Sequence, residues 1–177
     1  MTMNFKNVLP FENYILKSKL SVDDVLKRLG DNIQKEQGFG FSNFNNTYTK
    51  PYSGQISGMT FKMSRNINYR NSFLPVITGQ ISTHLGHTQI SIIMRPVLFV
   101  LIFISLWFCI VGLVCVSILI AGLLQFKQVL LNGFSPMLLI PYGMLVFGCL
   151  LTYFAFKGES KKSIEFLTSL FESSESE

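Results

Sequence analysis

Few side chains in this chain could carry acid–base or metal chemistry. Its only two histidines, His84 and His87, stand three positions apart in the turn-like sequence His-Leu-Gly-His. That spacing could suit a metal ion, but two ligands in a turn, with no Cys or carboxylate nearby, make a poor site. We therefore interpret the pair as turn residues and predict a protein with no bound metal and no cofactor.

Carboxylates are missing from most of the chain. Between Glu36 and Glu159 there is no Asp or Glu, and no Gly-x-Ser-x-Gly elbow or phosphate-binding glycine loop occurs. Acid–base catalysis, hard-metal binding and a catalytic triad all require such groups. We therefore expect a sheet and membrane spans without a carboxylate. The protein would be an enzyme only if a partner supplied the catalytic groups.

Positive charge is the chemical feature that remains. The basic side chains between positions 37 and 96, where no acid occurs, are Lys50, Lys62, Arg65, Arg70 and Arg95. By strict alternation Arg65 falls on the apolar face of its strand. It must therefore lie at the sheet's rim, snorkel, meet a carboxylate such as Glu159 or Glu165, or bind an anion. Lipid phosphate is the nearest abundant anion, because Arg95 directly precedes an apolar span. We predict a headgroup-contacting surface that involves Arg65, Arg70 and Arg95.

The elements that would position these groups include two membrane spans. The chain of 177 residues is 49% hydrophobic and only 14% charged, whereas a soluble domain carries about 25% charged residues. Residues 97–124 and 134–156 contain no formal charge, and about 20 apolar residues suffice to cross a bilayer. With a short loop at 125–133, the segment 97–156 is predicted to form a transmembrane hairpin.

The distribution of basic residues predicts the orientation of this hairpin. Arg95, Lys157, Lys161 and Lys162 flank its outer ends, whereas Lys127 alone lies in the loop. Because the cytoplasmic side carries the excess of Lys and Arg, both termini are expected to face the cytoplasm from the bacterial inner (plasma) membrane.

Small side chains are expected to bring the two spans together. They form one stripe on each helix, comprising Ser105, Cys109, Gly112 and Cys115 on the first and Gly148, Thr152 and Ala155 on the second. In lipid such stripes favour close helix packing, and the cysteines among them are interpreted as small apolar packers. Pro141 predicts a kink in the second span.

The remaining segments, 1–96 and 157–177, predict one α+β domain on the cytoplasmic side. An extended segment at 10–20 precedes a helix at 21–33 that begins with a capping sequence at Ser21. Alternation of apolar and polar residues predicts strands at 59–69, 73–83 and 88–94, with a weaker one at 39–48, giving an antiparallel sheet of four to five strands. A separate amphipathic helix at 160–172 is expected to pack back on this sheet, followed by a frayed acidic tail.

Two resemblances accompany this architecture. The runs FKMSRNINYRNSFLPVITG (61–79) and GHTQISIIMR (86–95) resemble a family of small, uncharacterised bacterial proteins with two transmembrane helices. The resemblance implies a bacterial membrane protein and no particular activity. The order strand, helix, antiparallel strands and final helix is also similar to a shortened helix-grip (START-like) domain, which implies a cavity for an apolar ligand.

Three functions follow as hypotheses. The first is a non-catalytic accessory or anchoring protein that contacts membrane lipids and binds another membrane protein or a second copy of itself. The second is a lipid- or apolar-ligand-binding module with a START-like cavity. The third is an enzyme completed by a partner. Nucleic acid is not an expected partner, because the strand aromatics share the face that the last helix should cover.

Overall fold

The computed structural model describes residues 10–35, 49–84, 86–125, 127 and 135–175. They divide into two compact units. The α+β unit contains the described residues up to Val97 and those from Ala155 onward, and the apolar unit is Leu98–Phe154. The chain is therefore an α+β protein in which an apolar segment interrupts the α+β unit in sequence. The predicted strand at 39–48 and the loop residues 128–133 lie outside the described residues.

Seven strands among the described residues form one sheet in the α+β unit. Their bounds are β1 Glu12–Ser18, β2 Ile33–Lys35, β3 Tyr52–Ser57, β4 Thr60–Arg65, β5 Val76–His84, β6 His87–Arg95 and β7 Ser174–Glu175. The order across the sheet is β2-β3-β4-β5-β6-β1-β7, and β2 pairs with β3 in parallel while the other neighbours are antiparallel. The predicted number of four to five strands was therefore too low, and the predicted antiparallel sheet contains one parallel pair, β2 with β3.

The predicted strand boundaries were also partly wrong. β4 ends at Arg65, so Ile67 and Tyr69 belong to a loop although the alternation of residues continues through them. β3 was not predicted at all, because Pro51 before it and Gly54 within it are typical of turns. The tail was expected to fray, yet Ser174 and Glu175 pair with Lys17 and Leu16 of β1.

One face of the sheet carries the core, and we call it the inner face. Its buried apolar residues, drawn from alternate positions of β1, β4, β5 and β6, are Leu16, Phe61, Met63, Ile77, Ile81, Ile90, Ile92 and Met94. Because side chains alternate between the two faces of a strand, the intervening positions lie on the other face and are mostly exposed. The inner face is therefore the surface that the helices of this unit must cover.

Helix α1, Val22–Asn32, covers part of the inner face. The Ser21 hydroxyl accepts a hydrogen bond of 3.1 Å from the Asp24 amide, which caps the helix as the sequence predicted. Val25 and Leu29, one turn apart, are fully buried in the core. The cap thus sets where the helix begins, and its apolar face sets which side packs against the sheet.

The apolar unit consists of helix α2, Leu98–Leu124, a 3₁₀ turn at Pro136–Leu139 and the first part of helix α3, Ile140–Leu170. Among the described residues, two helices are long and apolar enough to cross a membrane, Leu98–Leu124 and the helical stretch Pro136–Leu170. Pro141 lies in the first turn of α3, where backbone amides have no intrahelical acceptor. Its missing amide therefore breaks no hydrogen bond of the helix, and the reason for the predicted kink does not apply at this position.

Helix α3 continues without a break from the apolar unit into the α+β unit. The sequence predicted two helices here, separated at Lys157-Gly158, but α3 extends from Ile140 to Leu170. A glycine inside a helix costs only about 1 kcal/mol, which neighbouring contacts easily offset. Beyond the glycine, Leu167 and, just after the helix, Phe171 are fully buried in the same core as Phe156. One helix therefore serves both units.

Candidate functional site

The polar residues of the α+β unit gather at one end of the sheet, which we call the junction end. Here β6 ends at Arg95, just before α2, and β1 begins at Glu12, which is paired with Met94. Arg65 ends β4 at the same end, opposite Tyr52. The turns of α3 that follow Phe156 contact this end, so charged groups of β1 and β4 meet those of the helix there.

Glu159 of α3 is the centre of the first charged cluster. Its Oε2 accepts a hydrogen bond of 2.8 Å from Arg65 Nη1, and its Oε1 accepts bonds from the Tyr69 hydroxyl and, at 2.9 Å, from Lys162 Nζ. The Glu159 side chain is 6% exposed and that of Arg65 is 32% exposed. Arg65 thus lies on the inner side of its strand and meets the first of the two carboxylates that its alternation indicated.

Glu12 of β1 is the centre of the second cluster. Its carboxylate accepts hydrogen bonds from Lys157 Nζ, from the Ser160 hydroxyl and from the Tyr14 hydroxyl. Glu12 is 9% exposed and Ser160 is fully buried. The expectation that the sheet holds no carboxylate was therefore wrong, because β1 belongs to the sheet and brings Glu12 to its inner face.

These contacts shift the pKa values of both carboxyl groups. Burial raises the pKa of Glu12, but the hydrogen bonds from Lys157, Ser160 and Tyr14 outweigh burial and hold it below its usual value of 4.5. For Glu159, burial is likewise outweighed by the hydrogen bonds from Tyr69, Lys162 and Arg65, and its pKa is also lowered. Both groups are consequently ionised at neutral pH, and each works as an acceptor for cations rather than as a proton donor.

Acid should loosen the attachment of α3 to the sheet. Because both folded-state pKa values are lowered, the stabilisation is complete above about pH 4.5 and is lost as the pH falls through the lowered values. We expect the unfolding midpoint in detergent to change little from pH 7 to about 5 and then to fall. The variant Glu12→Gln/Glu159→Gln should start lower and fall less steeply. Equal slopes for the two proteins below pH 4.5 would contradict this assignment.

A loop between β4 and β5 places two further polar side chains beside α3. Within it the Tyr69 hydroxyl donates to Glu159, and Asn71 Nδ2 donates to the carbonyl oxygen of Ala155 at 3.2 Å. Asn71 also fixes the loop itself, since its Oδ1 accepts from the Phe73 amide at 2.9 Å. Arg70 lies between these contacts and is exposed. The loop therefore follows α3 across the last turn of its charge-free part.

The three arginines predicted to contact headgroups thus occupy different settings. Arg95 is exposed at the end of β6, opposite Val76. Arg70 is exposed on the loop, and Arg65 pairs with Glu159. The structure brings Arg65 and the loop that carries Arg70 to the same turn of α3 and places Arg95 at the same end of the sheet.

The apolar unit shows how its two helices contact each other. The Tyr142 hydroxyl donates to the Cys115 carbonyl oxygen at 2.7 Å, and a Cβ at Gly148 would lie 2.6 Å from the Trp107 ring. Later residues of α3 thus meet earlier residues of α2, so the two helices run in opposite directions. Gly148 is needed for this approach, because a side chain would collide with the indole.

The predicted small-residue stripes correspond only in part to this contact. On α3, Thr152 is buried and Gly148 and Ala155 are half-buried. On α2, Cys115 is buried and Gly112 half-buried, but Ser105 and Cys109 are exposed. The half-buried positions of α2 include Leu101, Ile104, Phe108, Val111 and Ile118, and together with the buried Cys115 they are alternately three and four residues apart. The surface of α2 that contacts α3 is therefore rotated away from the predicted stripe and includes larger side chains. Larger side chains can also pack between two helices.

The chemistry open to the site is binding and charge pairing. His84 and His87 pair directly across the β5–β6 turn and are exposed, far along the strands from Glu12 and Glu159. Within the described ranges, no group of three or more His, Cys, Asp or Glu side chains could hold a metal ion. The sequence did not predict that Glu12 and Glu159 are both buried at this end of the sheet. One feature could have indicated Glu159, since it is the first acid after more than 120 residues without one.

Comparison with known proteins gives no relative on which to base a function. No family model, no curated protein and no solved structure matches the chain. The resemblances to a bacterial two-span family and to a START-like domain therefore stay predictions. The function must be argued from the chain's own geometry.

Proposed function

We propose that this protein is a non-catalytic membrane protein that anchors an α+β interaction domain to the cytoplasmic face of a bacterial inner membrane through a transmembrane hairpin. The observation that carries the proposal is the exposure of its apolar helices. In the most apolar 18-residue stretch of each helix, only 11% is buried within the protein for α2 and only 6% for α3. A helix that is apolar all round and is not covered by protein requires lipid around it.

Helix lengths agree with this role. At 1.5 Å per residue, the 27 residues of α2 extend about 40 Å, and the apolar part of α3, Ile140–Phe156, about 25 Å. The hydrocarbon core of a bilayer is about 30 Å thick. The rest of α3 then emerges from the bilayer and carries Glu159 and Lys162 to the sheet. On this proposal α3 is both the second span and the element that holds the domain in place.

The orientation is proposed from the basic residues. Arg95 and Lys157 adjoin the two spans on the side of the α+β unit, whereas Lys127 is the basic residue on the connecting side. The rule that positive charge stays on the cytoplasmic side then places both termini in the cytoplasm.

This orientation predicts a labelling pattern for single cysteines. In a variant whose Cys109, Cys115 and Cys149 are replaced by Ala, Gln125→Cys should react with a membrane-impermeant maleimide added to intact cells. Ser82→Cys, exposed on β5, should react only after permeabilisation. Reaction of Ser82→Cys in intact cells would reverse the orientation and overturn the proposal.

The partners proposed for such an anchor are lipids and either another membrane protein or a second copy of the chain. Ser105 and Cys109 are exposed on α2 and could accept a further span. The packing of the described residues does not favour the apolar-ligand alternative, because bulky side chains lie between the sheet and the helices. Phe61 lies directly against Gly79, and Phe156 and Phe171 are buried in the same core.

A further inference from the structure

A set of exposed side chains surrounds the junction end of the α+β unit. We call this set the junction rim; it consists of Phe11, Tyr69, Arg70, Arg95 and Val97. Phe11 immediately precedes Glu12, the partner of Met94, so it lies beside Arg95 across the β1–β6 ladder. Its three apolar and aromatic members are exposed, with Phe11 and Val97 at 45% and Tyr69 at 51%.

The rim lies where the chain enters and leaves the apolar segment. Val97 is followed directly by α2. The loop that carries Tyr69 and Arg70 is bonded to Ala155 and Glu159, on either side of Phe156, the last residue of the charge-free run. If the apolar unit crosses a bilayer, these side chains lie at the level of the headgroups. Exposed aromatic and basic side chains are the ones that favour that level.

Most of the charged side chains described at this end of the unit are basic. Glu12 and Glu159 are the carboxylates in contact with α3 here, and they meet three cations, Lys157, Arg65 and Lys162. Arg70 and Arg95 are two further basic side chains at this end, and both are exposed. Both carboxylates are therefore engaged by cations within the unit, and the exposed side chains of the rim include two arginines.

We propose that the junction rim binds the phosphate groups of anionic phospholipids through Arg70 and Arg95, while Phe11, Tyr69 and Val97 insert among the lipid chains near the headgroups. This inference rests on the proposed function, since it requires the apolar unit to lie in a bilayer. It names the partner class of the rim and assigns Arg65, the third predicted arginine, to the internal pair with Glu159. The anchor would then select its lipid surroundings instead of only lying among them.

The test measures lipid preference on the full-length protein purified in a neutral detergent. Mixed micelles containing equal amounts of phosphatidylglycerol and phosphatidylcholine are added, and the retained lipids are counted by native mass spectrometry. We expect the wild-type protein to retain phosphatidylglycerol preferentially. Removing one arginine should lower that preference about fivefold, and Arg70→Gln/Arg95→Gln should lower it on the order of 25-fold at low salt. Arg70→Lys/Arg95→Lys should keep most of it.

A matched variant separates the rim from net charge. Lys17→Gln/Lys19→Gln removes two exposed positive charges at the other end of β1, five residues or about 16 Å from Glu12. That distance exceeds the screening length of about 10 Å at moderate salt, so this variant should keep the wild-type preference. Comparable unfolding midpoints of all variants show that exposed substitutions leave the fold intact.

Three outcomes would overturn the proposal. The first is an unchanged preference in Arg70→Gln/Arg95→Gln, and the second is an equal loss in Lys17→Gln/Lys19→Gln. The third is displacement of phosphatidylglycerol by inorganic phosphate, which would make the rim a site for a soluble anion. Failure of the proposed function is recognised separately, because a chain that does not span the bilayer is released from membranes by alkaline carbonate whatever lipid it prefers.

Discussion

Replacing Glu159 by Gln is expected to lower the free energy of unfolding by about 2 kcal/mol. The substitution keeps the shape of the side chain but removes the charge that Arg65, Lys162 and the Tyr69 hydroxyl all contact. Hydrogen bonds to charged groups contribute about 1.5–3 kcal/mol each, and breaking a fully buried ion pair costs about 3–5 kcal/mol. The expected loss lies below the latter range because Arg65 is 32% exposed and can be hydrated once Glu159 is gone.

The measurement is the unfolding midpoint of the full-length protein in detergent, which should fall by about 6 °C. Glu165→Gln is the matched control, since Glu165 lies on the same helix and pairs with Lys161 at 3.9 Å, but its side chain is 64% exposed. An exposed pair of this kind contributes less than about 1 kcal/mol, so the control should shift the midpoint by no more than about 3 °C. Equal shifts in the two variants would show that the Glu159 cluster does not hold α3 to the sheet.

The part of α3 that follows Phe156 is held to the sheet at both of its ends. Glu159 lies three residues beyond Phe156, the last residue of the charge-free run, and Ser160 and Lys157 pair with Glu12 within the same turn. The far end of this part of α3 is held as well, because the Ser18 hydroxyl donates to the Phe171 carbonyl oxygen at 2.5 Å and Arg28 Nη1 to that of Leu170 at 2.8 Å. Contacts at both ends therefore fix this part of α3 along the sheet.

The parts of this fold that depend on local pattern were predictable. Ser21 followed by Asp24 predicted the helix start, and the alternation around Phe61 and Met63 predicted a strand with a buried face. The two charge-free runs predicted helices long and apolar enough to cross a membrane. In each case the signal lies within one element and follows directly from helix or strand periodicity.

The parts that depend on distant pairing were not predictable from one sequence. Glu12 becomes a core residue only because β1 pairs with β6, almost 80 residues later, and because α3 returns to cover both strands. β3 has weak strand character of its own and forms because β4 pairs with it. The helix break predicted at Gly158 was wrong for the same reason, since contacts of Lys157 and Glu159 with the sheet outweigh a local preference.

A glycine opposite a phenylalanine provides the second large effect. Gly79 of β5 is paired with Phe61 of β4, and a Cβ built at Gly79 would lie 2.1 Å from the Phe61 Cζ. The ring is 2% exposed and is enclosed by the core, so it cannot move aside without displacing its neighbours. Crowding of this kind in a packed core costs typically 1–3 kcal/mol. We expect Gly79→Ala to lower the free energy of unfolding by about 2 kcal/mol and Gly79→Val by about 3 kcal/mol.

The cause of that loss can be isolated with a double variant. If the collision with Phe61 is responsible, Gly79→Ala should cost much less when Phe61 is replaced by Leu, with a coupling energy of about 1–2 kcal/mol between the two positions. Gly30→Ala is the control with the opposite sign, because Gly30 lies inside α1 with nothing within 4 Å of its built Cβ. That substitution should stabilise the protein by about 0.8 kcal/mol through helix propensity. Additive effects at positions 61 and 79 would instead mean that the inner face has free volume there. Such a volume would support the apolar-ligand alternative, which the packing of Phe61 does not favour.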